Sequence, residues 1–180
     1  MQRLETRLDG PVLLAPTVHG DERGFFVETF RADVAKEHGI PTAFVQDNHS
    51  RSRQGTLRGV HFQTHPGQGK LVRVARGQVF DVVVDLRPDS PTYRNRETFD
   101  LTGDNQVTVY VPAGCAHGFQ ALTEPADVSY RIDRAHDPSE DVAIRFDDPE
   151  LDIPWPLPIT LMSERDKAAA SLALATARLT

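Results

Sequence analysis

Val79-Phe80-Asp81-Val82-Val83-Val84-Asp85-Leu86 alternates along its length. In an extended chain, successive side chains point to opposite faces. Phe80, Val82, Val84 and Leu86 therefore share one face, and Val79, Asp81, Val83 and Asp85 share the other. A strand with one wholly apolar face belongs in the wall of a sandwich. Similar short apolar runs recur at 12–15, 25–30, 43–48, 56–62, 71–75, 97–101, 107–111, 117–122, 128–132 and 142–146, and each is expected to be a strand. Turn residues separate several of them, as in Gly20-Asp21-Glu22-Arg23-Gly24, Arg87-Pro88-Asp89-Ser90-Pro91 and Thr102-Gly103-Asp104-Asn105. Helix is expected only at 31–38 and, in an Ala/Leu-rich stretch, at 165–179. The expected fold is all-β: an antiparallel sandwich or barrel with short peripheral helices and a C-terminal helix.

The 180 residues carry 20 basic and 26 acidic side chains, a formal charge of −6, and 39% are hydrophobic. The 13 prolines and 12 glycines are spread along the chain instead of pooling in a linker. Residues 1–180 are therefore expected to form one domain, with 150–180 as a C-terminal arm and helix. Pro154-Trp155-Pro156-Leu157-Pro158 would make a rigid lead into that helix. The acidic balance argues against binding nucleic acid or an anionic membrane. No run approaches the ~18 apolar residues of a membrane span. Residues 1–10 are charged and lack an apolar core, so no signal peptide is expected and the expected setting is cytoplasmic. A single cysteine, Cys115, excludes an intrachain disulfide and a cysteine-cluster metal site.

Four stretches hold chemistry. In Leu57-Arg58-Gly59-Val60-His61-Phe62-Gln63, alternation puts Leu57, Gly59, His61 and Gln63 on one face. Gly59 lets another group approach the backbone, and His61 is a candidate for proton transfer because its charge changes near neutral pH. Arg58 should face away unless a bulge at Gly59 re-aims it. Lys70 opens the next strand and could hold a negative oxygen at the same mouth. Tyr130 shares a face with Val128 and Ile132, so its phenol should point inward and can give a proton. The run Met162-Ser163-Glu164-Arg165-Asp166-Lys167 reads as a charged helix start with Ser163 as its cap. Each of these also has an ordinary structural reading when taken alone.

Pro112-Ala113-Gly114-Cys115-Ala116-His117-Gly118-Phe119 resembles one half of the cupin signature, Pro-x-Gly-x-x-His after a strand. Metal-binding cupins add two His and a Glu on an early strand. Here that region offers His61, Gln63 and, past the strand end, His65, with Lys70 where a carboxylate would help. A protonated lysine repels a divalent cation, so no metal is expected.

Together, and in order from about residue 10 to about residue 170, the segments resemble the dTDP-4-dehydrorhamnose 3,5-epimerase family. The matching pieces are Gly20 to Glu28, Phe44 to Ser50, Leu57 to Gln63, Gly69 to Arg73, Val79 to Arg87, Pro112 to Phe119, Tyr130, Trp155-Pro156 and Ser163 to Asp166. The resemblance implies a cupin-type jelly roll and a cofactor-independent epimerase acting on a nucleotide-linked 4-keto-6-deoxyhexose. It also implies a homodimer that exchanges N-terminal strands. His61 would be the general base, oriented by Asp166, and Tyr130 the acid on the other face of the sugar. Lys70 would stabilise the enolate oxygen. Arg58 and His117 would bind near the sugar and phosphates. Arg23, Glu28, Gln46 and Asn48 would hold the nucleotide, some of them from the partner chain, and Phe26 and Arg165 complete the substrate-binding set.

This chain departs from the family at the rim. A tyrosine that stacks on the base, six residues after Tyr130, is His136 here, and the family's substrate-binding Glu is Asp141. The family's usual tryptophan after the Pro91-Thr92 turn is replaced near Arg96. Three other readings remain open on the residues alone: an epimerase inverting only C3 or C5, a metal-dependent cupin enzyme using His61, His65 and His117, and a non-catalytic sugar-nucleotide binder.

Overall fold

A computed structural model describes residues 1–179; Thr180, the last residue of the expected C-terminal arm, lies outside the described residues. Two antiparallel sheets face each other. One has six strands in the order β1 (Gln2–Leu4), β2 (Val12–Ala15), β10 (Thr108–Val111), β7 (Lys70–Arg76), β12 (Ala126–Ile132) and β5 (Gln46–Ser52). The other has five: β13 (Asp141–Ala143), β6 (Leu57–Gln63), β11 (Cys115–Ala121), β8 (Gln78–Asp85) and β9 (Arg96–Thr102). A separate hairpin pairs β3 (Val18–Asp21) with β4 (Gly24–Val27). The architecture is the expected cupin-like jelly roll.

The alternation of the opening stretch has a fuller meaning than the sequence discloses. Val79 and Val83 of β8 join Val72, Val74, Val109 and Val128 in the core between the sheets. Val82, Val84 and Leu86 face outward, yet they are also buried. They pack with Ile144, Leu151, Ile153 and Leu172 of the C-terminal segment, which covers the outer face of the five-stranded sheet. The wholly apolar face is thus the outer one, and the face holding Asp81 looks into the barrel.

Some elements differ from expectation. Strands β1 and β3 have no apolar run to announce them; the first lies at the sheet edge and pairs with β2, and the second is exposed along its length. The run expected at 25–30 stops at Val27. The helix expected at 31–38 is α1 (Ala32–Glu37). The single helix expected at 165–179 is instead α2 (Glu164–Lys167), α3 (Leu172–Thr176) and a 3-10 turn, Ala177–Leu179. It breaks because Ala170 bridges to Ile144 of the sheet and its carbonyl accepts the Arg145 N–H at 2.8 Å. Ser171 then caps a new helix, so tertiary pairing overrides local propensity.

Candidate active site

Strand register brings the site together. On the inner face of the six-stranded sheet, Ile132 sits between Lys70 and Gln46, and Tyr130 between Val72 and Asn48. Opposite them, on the five-stranded sheet, His61 pairs with His117. Between the two walls lies a cavity of about 530 Å³, a volume that suits a small-molecule ligand. His61, Lys70, Tyr130, Asp166, Gln46, Asn48, Arg58, His117, His136, Asp141 and Arg165 all line it.

Arg58 reaches the cavity through a bulge. His61 pairs with His117 and Arg58 with Phe119, so β6 covers that span with one residue more than β11. Gly59 permits this at φ +127, and a Cβ there would lie 2.5 Å from the Gly118 Cα. What approaches the backbone at Gly59 is therefore the neighbouring strand. The extra residue turns Arg58 from the outer face, where strict alternation places it, to the side of His61.

His61 Nε2 lies 2.6 Å from Asp166 Oδ1. Asp166 is buried on α2, whose cap Ser163 accepts the Asp166 N–H at 3.1 Å. Burial pushes the Asp166 carboxyl upward, but the hydrogen bond and charge of His61 outweigh it, helped by Ser163 and the Gly59 N–H. The carboxyl is held below the usual carboxylate range. Such a partner keeps the neutral ring's proton on Nε2 and leaves Nδ1 as the basic nitrogen.

The facing wall carries complementary groups. Burial pushes the Tyr130 phenol up; Asp141 adds to the rise and Arg58 opposes it. The phenol is therefore protonated at neutral pH and able to donate. Burial lowers the Lys70 ammonium from 10.5 to about 8, against the pull of Asp141 and Asp81 and with the push of Arg165. Lys70 is thus a desolvated charge in need of an anion, and the position suits an oxyanion. At the rim, Arg165 Nη1 donates to Asp141 Oδ2 at 2.5 Å.

Not every expected residue joins the cavity. Arg23, Phe26 and Glu28 lie on or just after the β3–β4 hairpin, exposed and away from the cavity of their own chain, with Arg23 paired to Asp21. His65 stands on the exposed turn beyond β6, while His61 and His117 each give Nε2 to a carboxylate, Asp166 and Asp81. The three-histidine donor set therefore does not converge. Among the described residues no group of three or more His, Cys, Asp or Glu could hold a metal ion.

Sequence reading passed over Asp81 and Gln68. Asp81, fully buried, accepts from His117 at 2.7 Å. Its signal was available: a carboxylate on a strand face shared with valines needs a buried partner. Gln68 lines the cavity from the turn before β7, where no periodicity points to it.

Titratable groups on both walls of one cavity in a cupin-like jelly roll are an arrangement that suits an isomerase inverting a carbon by proton transfer. Residues 5–173 match the family model described as dTDP-4-dehydrorhamnose 3,5-epimerase. The chain belongs to the dTDP-4-dehydrorhamnose 3,5-epimerase family. It is 45% identical over 172 residues to the dTDP-4-dehydrorhamnose 3,5-epimerase of Pseudomonas aeruginosa, covering 93% of this chain and 95% of the relative. It is 39% identical over 168 residues to the dTDP-4-dehydrorhamnose 3-epimerase of Streptomyces niveus, covering 92% and 81%. Among solved structures it is similar to the dTDP-6-deoxy-D-glucose-3,5-epimerase of Legionella pneumophila in complex with dTDP-4-keto-L-rhamnose. That likeness has a TM-score of 0.94 and 43% identity, and covers 99% of this chain and 96% of that one.

Proposed function

We propose that this protein inverts C3 and C5 of dTDP-4-dehydro-6-deoxy-D-glucose, giving dTDP-4-dehydro-L-rhamnose, in deoxysugar biosynthesis in the cytoplasm. The 4-keto group acidifies the hydrogens on both neighbouring carbons. His61 Nδ1 takes one of these protons, the C–H electron pair becomes the enolate π bond, and charge moves to the C4 oxygen. The Lys70 ammonium meets that oxygen. Tyr130 gives its phenolic proton to the same carbon from the opposite face, and the C4 carbonyl re-forms. His61 then releases its proton to solvent and the Tyr130 phenolate regains one from it, which restores base and acid and brings in the solvent label, and the step is repeated at the second carbon. One base and one acid on facing walls accomplish what a single group cannot without turning the sugar over. No cofactor enters these steps.

The observation that supports this reading is the placement of His61, paired with Asp166 of α2, on one sheet and Tyr130 with Lys70 on the other, across one cavity. The test is turnover in deuterium oxide. Label at both C3 and C5 is expected. Label at one carbon only assigns a mono-epimerase, the activity for which the Streptomyces niveus relative is named. An absence of exchange rejects the reading.

The working unit we infer is a homodimer. Arg23, Phe26 and Glu28 cannot serve the cavity of their own chain from where they stand, and the hairpin's Phe25 and Phe26 are 58% and 72% exposed. A partner's hairpin would deliver them to the nucleotide end of the site and cover those rings.

A further inference from the structure

Gln63 and Gln68 are buried amides, each 6% exposed, that no step of the epimerisation uses. They form one directed chain. Gln68 Nε2 donates to the Arg134 carbonyl at 2.8 Å and to Gln63 Oε1 at 3.1 Å. Gln63 Nε2 in turn donates to the Asp137 carbonyl at 2.8 Å and to His136 Nδ1 at 3.2 Å. A backbone carbonyl only accepts, so these two carbonyls fix which end of each amide is nitrogen. His136 Nδ1 is therefore an acceptor, and the ring proton sits on Nε2, 3.7 Å from Asp141 Oδ2. The His136 ring is 44% exposed. It lines both the main cavity and the shallower groove beyond Asp141 and Arg165, which places it on the rim between them.

We propose that Gln63, backed by Gln68, is a positioning residue for nucleotide binding: it holds the His136 ring in one orientation and one tautomer as the plate against which the base rests. This rests on the nucleotide-sugar reading above and deepens it. An imidazole offers a base less area than a phenol ring. Fixing its orientation in advance removes an ordering cost that binding would otherwise carry. The same amide chain ties the segment bearing His136 to β6, the strand that carries His61, so base recognition and chemistry share one support.

The experiment compares binding of dTDP and of inorganic pyrophosphate by titration calorimetry, together with KM and kcat for the sugar nucleotide. The variants are Gln63→Met, Gln68→Met, His136→Ala and the double variant Gln63→Met/His136→Ala. Gln63→Met is expected to weaken dTDP about tenfold, the effect of losing one buried hydrogen bond, and to leave pyrophosphate affinity within about twofold. KM should rise more than kcat falls. Gln68→Met should act in the same direction and less strongly. In the His136→Ala background, Gln63→Met should cost nothing further, because it acts through that ring. Unchanged dTDP affinity in a folded Gln63→Met protein overturns the proposal. So does an equal loss for pyrophosphate, or a full loss that persists without His136. If Gln63→Met fails to fold, Gln68→Met carries the same comparison. Wild-type protein that binds pyrophosphate but not dTDP rejects the nucleotide reading itself, and this inference with it, before any variant is made.

Discussion

At the scale of single residues, the site sets the proposed base, acid and cation, His61, Tyr130 and Lys70, around one cavity, and each can be removed separately. His61→Ala should lower kcat by at least about 10², the contribution of a positioned general base, and suppress solvent deuterium uptake at both C3 and C5. Lys70 makes a pH prediction. Its ammonium titrates at about 8, so the charged form that steadies an enolate is present below that pH and lost above it. The kcat/KM profile should fall as pH rises through about 8. In Lys70→Arg that decline should vanish even if the rate is lower throughout, because a guanidinium stays charged. The same burial carries a stability cost. Between about pH 8 and 10.5 the unfolded chain holds the Lys70 proton and the folded one does not, so this site's contribution to stability rises with pH across that window.

At the scale of elements, Asp166, the carboxylate paired with His61, depends on an arm outside the barrel. Gln120 is fully buried on β11; its Nε2 donates to the Leu157 carbonyl at 2.8 Å and its Oε1 accepts the Leu157 N–H at 3.1 Å. Farther along, Thr56 bridges to Leu161, and Ser163 caps the helix that presents Asp166. Gln120→Ala should cost about 1–3 kcal/mol in urea unfolding, since it strands both backbone groups, and should lower kcat severalfold although no atom of the cavity has changed. The strands were largely legible because alternation and turn residues are local signals; Val12–Ala15 and the β8 pattern are examples. Arg58 was legible only conditionally: alternation alone turns it outward, and the bulge at Gly59 that the sequence left open is what brings it to the cavity. The break at Ala170 was hidden for a similar reason: an Ala/Leu-rich run continues as helix unless a distant strand claims its backbone, as Ile144 does here.

At the scale of the whole molecule, the cavity is built by one chain while part of its expected nucleotide-binding set stands elsewhere on that chain. Sedimentation should give a mass twice the 20.0 kDa of the chain. Phe26→Glu should shift it toward the monomer and raise KM for the sugar nucleotide; a dimer untouched by this change would show that the hairpin is not the contact. The contact between Gly59 and Gly118 bears on how this scaffold can be remodelled. A Cβ at position 59 would lie 2.5 Å from the Gly118 Cα and one at 118 would lie 3.0 Å from the Arg58 carbonyl oxygen, so both positions are crowded by the neighbouring strand, next to the paired histidines at 61 and 117. In laboratory evolution toward new donors, libraries that randomise the two glycines should return mostly dead clones, whereas diversity confined to residues 134–140 should redirect selectivity and spare turnover.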